Sequence, residues 1–327
     1  MSLSRPNAVI ATAGQNLTAA EAALLRARVS LSVLGSHDAI TLTVWRDSKL
    51  AELATGDEIA IAMGETDDEV DVAKGKVVAR LVRGSAIELE ILAATAPLST
   101  RYRSKTYLRQ SIADIVNDLA GDVPVDQVEG DAQLASYAID DRRSIWHHLR
   151  ELAELVDADL GAADDGGLRF VPISAAPNTV AIGSQSDILA WGVGARSAAP
   201  PSAVAAYGAG SERGAEQWHW IRRTPSASGD GVVRVIGGFH AKEPAEQLRR
   251  SLEARAARRA VGGQLVLVGH PELRPGDAIQ AADAPGGDPG VLRILSIDHL
   301  LDPVRGFTST VLVEGAGGDG FGLGGLL

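Results

Sequence analysis

Hydrophobic and polar residues alternate with a period of two in five runs within the first hundred positions. The apolar positions are Val29, Leu31 and Val33; Ile40, Leu42 and Val44; Ile59, Ile61 and Met63; Val77, Ala79 and Leu81; and Ile87, Leu89 and Ile91. Such alternation is typical of a strand with one packed face and one solvated face. Turn segments at 35–38 and 55–57 separate some of the runs. The pattern therefore predicts a small β-barrel or a β-sandwich.

An acidic stretch lies between the third and fourth runs and contains no basic residue. Its members are Asp57, Glu58, Glu65, Asp67, Asp68, Glu69 and Asp71. We expect a solvated loop here. A cation site with oxygen ligands is the alternative, although the spacing matches no EF-hand loop.

The period changes to that of amphipathic helices between about residues 97 and 175. The first predicted helix ends at Gly121, and Ser144 is a candidate N-cap for the second. A turn at 164–167 and a short strand at 168–171 complete a compact α+β unit. The helical apolar positions are Leu108, Ile112, Ile115, Val116 and Leu119, followed by Ile145, Leu149, Leu152, Ala153 and Val156.

The rest of the chain is predicted to be irregular, then helical, then β-stranded. Possible strands lie at 204–207, 217–221 and 232–236. A helix is expected at 243–259, with Gly262 and Gly263 ending it. Strands return at 265–268, 278–279 and 291–297. In a last strand, Phe307, Ser309, Val311 and Val313 alternate with Thr308, Thr310 and Leu312. Residues 316–327 are rich in glycine and read as a flexible tail or linker.

Composition narrows the functional classes. The chain has 327 residues and a formal net charge of −11, which argues against a nucleic-acid-binding protein. The absence of cysteine excludes disulfides, thiolate metal sites and cysteine nucleophiles. No stretch approaches about 18 consecutive apolar residues, so no membrane span is expected. Because the N-terminus does not resemble a signal peptide, we expect a cytoplasmic protein until assembly or release.

The search for catalytic chemistry predicts no catalytic, cofactor-binding or metal-binding residue, and no cofactor. His147 and His148 are neighbours on a helix and point to different faces, and no HExxH, phosphate-loop or GxSxG motif occurs. A pair of carboxylates acting on a glycoside stays open, since carboxylates are abundant. The segment Gln217–Ile221, with Trp218 and Trp220, is either an interface anchor or ordinary core packing. The basic segment 213–259 indicates a salt-bridged helix or a subunit interface, with nucleic-acid contact as the alternative.

Several segments together resemble the phage late-control protein D family. Two lie in the helical region and read TYLRQSIADIV at 106–116 and SIWHHLRELA at 144–153. Three lie near the end and read LRPGD at 273–277, ILSIDH at 294–299 and GFTST at 306–310. That family includes the hub of contractile tails and the N-terminal part of type VI secretion spike proteins. The resemblance covers residues 25 to 315, with a loose match at 137–141.

The resemblance implies a β-rich α+β fold with two tail-tube-like β-barrel domains and an α+β insert between them. The expected division is a first barrel at 1–96, the insert at 97–175, an irregular β region, helix and second barrel at 176–315, and a glycine-rich tail at 316–327. Type VI spike proteins continue into an OB-fold and a needle, whereas this chain stops at Leu327. We therefore expect the spike to be a separate polypeptide.

The implied function is that of a non-catalytic baseplate hub subunit of a contractile phage tail or a related injection system. Three copies would form a ring that joins a hexameric inner tube to a trimeric spike. The chain would form a homotrimer, and its partners would be the inner tube protein, the spike protein and other baseplate subunits. It would bind no nucleic acid specifically. The alternatives are a tail-tip or adhesion module of a phage particle and a tail-associated cell-wall hydrolase.

Overall fold

The computed structural model describes residues 5–173, 177–183, 186–195, 204–210, 219–222, 232–235, 242–282, 284 and 289–316. Within these residues the chain is mostly β-sheet, with three α-helices. The predicted β-rich class is confirmed at this level. The two-barrel arrangement stays a prediction, because the hydrogen-bonded strands of the described residues follow one open path.

The first part of the chain is all strand apart from one short 3-10 turn. The strands are β1 (Pro6–Thr12), β2 (Gln15–Thr18), β3 (Leu24–Ser32), β4 (Ala39–Trp45), β5 (Glu58–Glu65), β6 (Asp68–Arg83) and β7 (Ala86–Leu92). In β4 and β7 the predicted alternation holds, since Ile40, Leu42, Leu89 and Ile91 are buried. These side chains meet in one core with residues of β1, β3 and β5.

Two expectations for this region are wrong in detail. A register shift between Val77 and Ala79 turns the second half of β6 over, so Leu81 lies on the solvent side and is 39% exposed. The acidic stretch is a hairpin rather than a loop, because Glu65 pairs with Asp68 across a two-residue turn. Its tip is exposed, and solvation of these acids is the part of the expectation that holds.

The insert has two small sheets and two helices. Its elements are β8 (Lys105–Ser111), α1 (Ile112–Ala120), β9 (Val125–Val128), β10 (Gln133–Ile139), α2 (Ile145–Val156), β11 (Ala158–Ala162) and β12 (Leu168–Pro172). Ser144 caps α2, accepting a hydrogen bond from the backbone N–H of His147, and Gly121 ends α1 at a φ of 64°. Both expectations are confirmed.

Leu108 was wrongly predicted to belong to the first helix. It lies in β8, opposite Ser136, and is 66% exposed. Arg109 has a φ of 52°, which no α-helix accommodates, and the Ser111 side chain caps α1 two residues later. The helix therefore begins at Ile112.

The last part of the chain returns to strands after one long helix. Its elements are β13 (Thr179–Gly183), β14 (Ile188–Ala195), β15 (Val204–Gly210), β16 (His219–Arg222), β17 (Val232–Val235), α3 (Lys242–Arg258), β18 (Val261–Val268), β19 (Ala278–Ala282), β20 (Val291–Asp302) and β21 (Gly306–Gly315). Every strand and helix predicted here has a counterpart. Residues 317–327 of the glycine-rich tail lie outside the described residues.

The glycine pair after α3 was wrongly predicted to be a helix stop. Gly262 and Gly263 belong to β18, which begins at Val261. A Cβ atom on Gly263 would collide with the carbonyl oxygen of Gly192 on β14. The glycine is therefore needed for the close approach of two strands.

One large sheet runs through both β-rich parts of the chain. Its path is β2-β1-β5-β6-β7-β4-β3-β20-β21-β18-β14, and β19 adds to β20 and pairs with β13. The two parts meet where β3 pairs antiparallel with β20, from Ser32↔Ser296 to Ala27↔Leu301. We call this pairing the seam. The first core includes Phe307 from beyond the seam, whereas β18, β20 and β21 surround a second core of their own.

Candidate functional site

A polar face extends over eight strands of the large sheet, from β6 to β14. Directly paired residues point to the same side of a sheet, so the register identifies each face. One row crosses the seam through Ala79, Glu90, Thr41, Arg28, Leu300, Thr308 and Val268. A second row runs through Leu92, Ala39, Ser30, Asp298, Thr310, Val266 and Ala190. Both rows are half-buried or exposed at every position, and we call the surface that they define the polar face.

The opposite side of the same strands is packed. The row between those two passes through Val77, Ile91, Ile40, Val29, His299, Ser309 and Leu267. Each of these side chains is at most 2% exposed. The alternation predicted from the sequence thus continues without a break from the first β part into the second.

Charged side chains tie the polar face together at the seam. The guanidinium of Arg28 donates to Asp298 across the seam, at 3.1 Å from Nη2 to Oδ1, and the hydroxyl of Ser30 donates to the same carboxylate. Arg26 lies 3.8 Å from Asp302. The Arg28–Asp298 pair is exposed, and such pairs stabilise by about 0.2–1 kcal/mol, whereas the side chain of Asp302 is only 5% exposed. The seam is therefore solvated around Asp298 on this side.

The buried side of the seam holds a neutral histidine. The ring of His299 lies beside Phe307 at 5.9 Å between centroids, and its Nδ1 is 2.8 Å from the hydroxyl oxygen of Ser309. Its Nε2 has no hydrogen-bond partner among the described residues. Burial, and secondarily the positive charge of Arg274, lower the pKa of His299 to about 3. The seam is therefore assembled around an imidazole that must stay uncharged.

A buried carboxyl lies just beyond the end of β3. Asp38 accepts a hydrogen bond at 2.9 Å from the backbone N–H of Ser32. Burial raises the pKa of Asp38 to about 8, against the effect of that hydrogen bond. The sequence pattern assigned Asp38 to a turn and did not reveal it as a buried carboxyl, and it gave His299 no role. The burial of His299 was predictable, because this residue shares a strand face with Ile297.

The ends of the sheet offer strand edges. Among the described residues, β2 pairs only with β1, and β14 pairs only with β18. Strand β14 is eight residues long, and its Leu189 is 59% exposed. An unpaired edge presents backbone N–H and C=O groups to another chain. The polar face thus ends at an edge that can accept a further strand.

The adjacent histidines His147 and His148 form no metal site in the described residues. His148 is buried, whereas its neighbour His147 is exposed, as their helical spacing predicted. No group of three or more His, Asp or Glu side chains in the described residues is arranged to hold a metal ion. Gln217 and Trp218 lie outside the described residues, as does much of the basic segment before residue 242. No helix of the described residues is long and apolar enough to cross a membrane.

Comparison with known proteins yields structural likenesses only. No family model matches the chain, and neither does any curated protein. The tail protein of Neisseria meningitidis MC58 superposes at a TM-score of 0.71 with 14% identity, covering 95% of this chain and 96% of that one. The 43 kDa tail protein of prophage MuSo2 from Shewanella oneidensis gives 0.67 with 13% identity over 95% of this chain and 98% of that one.

A third likeness is to a component of a secretion machine. The Escherichia coli c3393 protein, a type VI secretion system component with structural similarity to the T4 bacteriophage tail proteins gp27 and gp5, gives a TM-score of 0.61. Identity is 11%, and the match covers 93% of this chain and 76% of that one. The resemblance to phage tail and type VI proteins inferred from the sequence is therefore confirmed at the level of the fold.

Proposed function

We propose that the protein is a non-catalytic hub subunit in the baseplate of a contractile phage tail or of a related injection system. The observation that carries the proposal is the polar face, which continues across the seam between two β-rich parts. A sheet that is solvated on one side from β6 to β14, and whose end strands each have one partner among the described residues, suits a subunit of a larger ring. The likeness to tail proteins over almost the whole chain supports the same role.

In this proposal each β-rich part is one tail-tube-like barrel, and residues 1–96, 97–175 and 176–315 are the first barrel, the insert and the second barrel. Three copies then supply six barrels around a ring. Such a ring matches a hexameric inner tube on one side and a trimeric spike on the other. A closed ring of identical subunits uses a heterologous interface, in which two different surfaces of the chain meet.

The polar face fits the inner wall of such a ring. Half of the fourteen positions in its two rows are Thr, Ser, Glu, Asp or Arg, which stay hydrated without a protein partner. The packed side already faces the cores of the subunit. We place the protein in the assembled particle, after assembly in the cytoplasm, with the inner tube, the spike and other baseplate subunits as partners.

Light scattering coupled to size exclusion tests the oligomer directly. We expect a mass three times the 34.0 kDa of the chain, alone or after addition of a candidate spike protein from the same genome. Leu189→Lys should weaken the trimer, since a lysine on an edge strand opposes strand addition. Val304→Lys is the matched control, because Val304 is 93% exposed in the β20–β21 turn. A chain that stays monomeric with tube and spike proteins present contradicts the proposal.

A further inference from the structure

An arginine-lined cleft lies where the insert, α3 and the second β part meet. Its volume is about 140 Å³. This is well above the roughly 10–15 Å³ that a single water requires, so a side chain fits. Three carboxylates and five arginines line it, and the arginines are Arg150, Arg255, Arg258, Arg259 and Arg293. Counted with Asp157, which pairs with Arg255 and Arg258, four carboxylates stand against five arginines, so the cleft has an excess of one positive charge in a chain whose net charge is −11.

The arginines on the floor of the cleft are held by carboxylates. Arg258 contacts Asp157 at 2.7 Å and Glu314 at 3.1 Å. Arg293 contacts Glu314 at 3.0 Å and also pairs with Asp159. Both guanidiniums are nearly inaccessible, with 6% and 3% exposure. Their positions are thus set before anything binds.

The arginines at the rim differ from those on the floor. Arg150 and Arg259 are exposed, and neither has an ion pair with a described residue. The side chain of Arg150 lies against the backbone of Gly35, where a Cβ atom would stand only 2.9 Å from Nε. This contact places the Arg150 side chain beside Gly35, which also lines the cleft. The rim therefore offers two charges that no described residue neutralises in an ion pair.

The β5–β6 hairpin has the complementary charge. Glu65, Asp67, Asp68, Glu69 and Asp71 lie at its tip, and no basic residue occurs between positions 58 and 73. Glu65 and Asp68 face each other across the turn, where like charges repel. A cation beside two such carboxylates lowers their electrostatic energy. The hairpin is stiff, because it is paired along its length and has a turn of two residues.

We propose that the tip of the β5–β6 hairpin of one copy docks in the arginine cleft of the next copy. This rests on the proposed function, since it requires the chain to assemble with itself. Hairpin and cleft are different surfaces of one chain, as a heterologous ring interface demands. Arg150 and Arg259 bind carboxylates of Glu65 and Asp68, because the floor arginines are already paired with carboxylates of the same cleft. This contact fixes the relative orientation of two copies, in addition to strand pairing at the edge of β14.

Charge reversal and its rescue test the contact. Arg150→Glu with Arg259→Glu changes the cleft, and Glu65→Lys with Asp68→Lys changes the hairpin. Each pair should weaken self-association about tenfold or more, measured by sedimentation equilibrium. The chain that carries all four changes should recover most of the loss, because the charges are complementary again. Asp47→Lys with Glu52→Lys is the control, since both residues are exposed and belong to neither surface.

The outcomes separate the two proposals. A wild-type chain that never self-associates overturns both the ring and the docking contact. A wild-type chain that does associate, together with reversed variants that associate equally well, overturns the docking contact alone. Loss in both double variants without recovery in the fourfold variant also overturns it, provided that circular dichroism shows all variants folded.

Discussion

Strand β20 takes part in two junctions that are built from different chemistry. At the seam it pairs with β3 through backbone hydrogen bonds, with ion pairs only on the solvated side. At its other end Arg293 enters a buried network with Glu314 and Asp159, against the insert and α3. The seam depends on backbone pairing and apolar packing, which tolerate changes in exposed charge. The buried network depends on every partner, because an unpaired charge there is largely removed from bulk solvent.

Arg293→Met should give the largest loss of stability. It leaves Asp159 and Glu314 buried with one cation fewer, and removal of one member of a buried ion pair costs about 3–5 kcal/mol. Urea unfolding followed by circular dichroism measures the change. A loss below about 1 kcal/mol would show that the network is hydrated and no different from the seam.

Acidification should cause the second-largest loss of stability, through the buried histidine at the seam. His299 is neutral in the fold with a pKa of about 3, whereas in the unfolded chain it takes up a proton near its ordinary value of 6.5. The unfolded state then binds more protons, so stability falls as the pH drops below 6.5 and continues to fall towards 3. By about pH 5 the loss attributable to His299 is about 2 kcal/mol.

The measurement is the difference between wild type and His299→Gln in urea unfolding from about pH 7 to about pH 5. Carboxylates titrate equally in both chains, so their contribution cancels. We expect the wild type to lose more stability than the variant over this interval. Parallel pH profiles would mean that the seam admits a charged imidazole.

Asp38→Asn should stabilise the protein at neutral and alkaline pH. The folded-state pKa of Asp38 is raised to about 8, so the stability that its protonated form contributes is complete below the ordinary value of 3.8 and is lost as the pH rises towards 8. An amide keeps the acceptor for the Ser32 N–H without this loss. We expect a gain of at least about 1 kcal/mol at about pH 8 and little gain at about pH 4, by thermal unfolding. A gain of equal size at both pH values would contradict the pKa.

Arg28→Met should have the smallest effect. Arg28 is 57% exposed in its pair with Asp298, and such pairs contribute about 0.2–1 kcal/mol. It is the matched control for Arg293→Met, because the same substitution is made at an exposed position of the same sheet. A loss as large as that of Arg293→Met would show that the solvated side of the seam carries the junction.

Local elements followed from local patterns. Ser144 and Gly121 marked helix ends because capping is a matter of a few neighbouring residues. Alternation identified β4 and β7 for the same reason. One error came from a contact between distant residues. Gly263 was taken for a helix stop because nothing near it in sequence shows that Gly192 lies against it.

The amino-acid sequence was sufficient for the β-rich class, the helical insert and the solvated side of strands such as β4 and β7, because side-chain periodicity within a strand or a helix is a local property. Only the tertiary structure showed that β3 and β20 pair, that His299 lies at their junction, and that five arginines converge on one cleft. Those features join residues far apart in the chain. Their energies come from burial and from neighbouring charge, which no local pattern records.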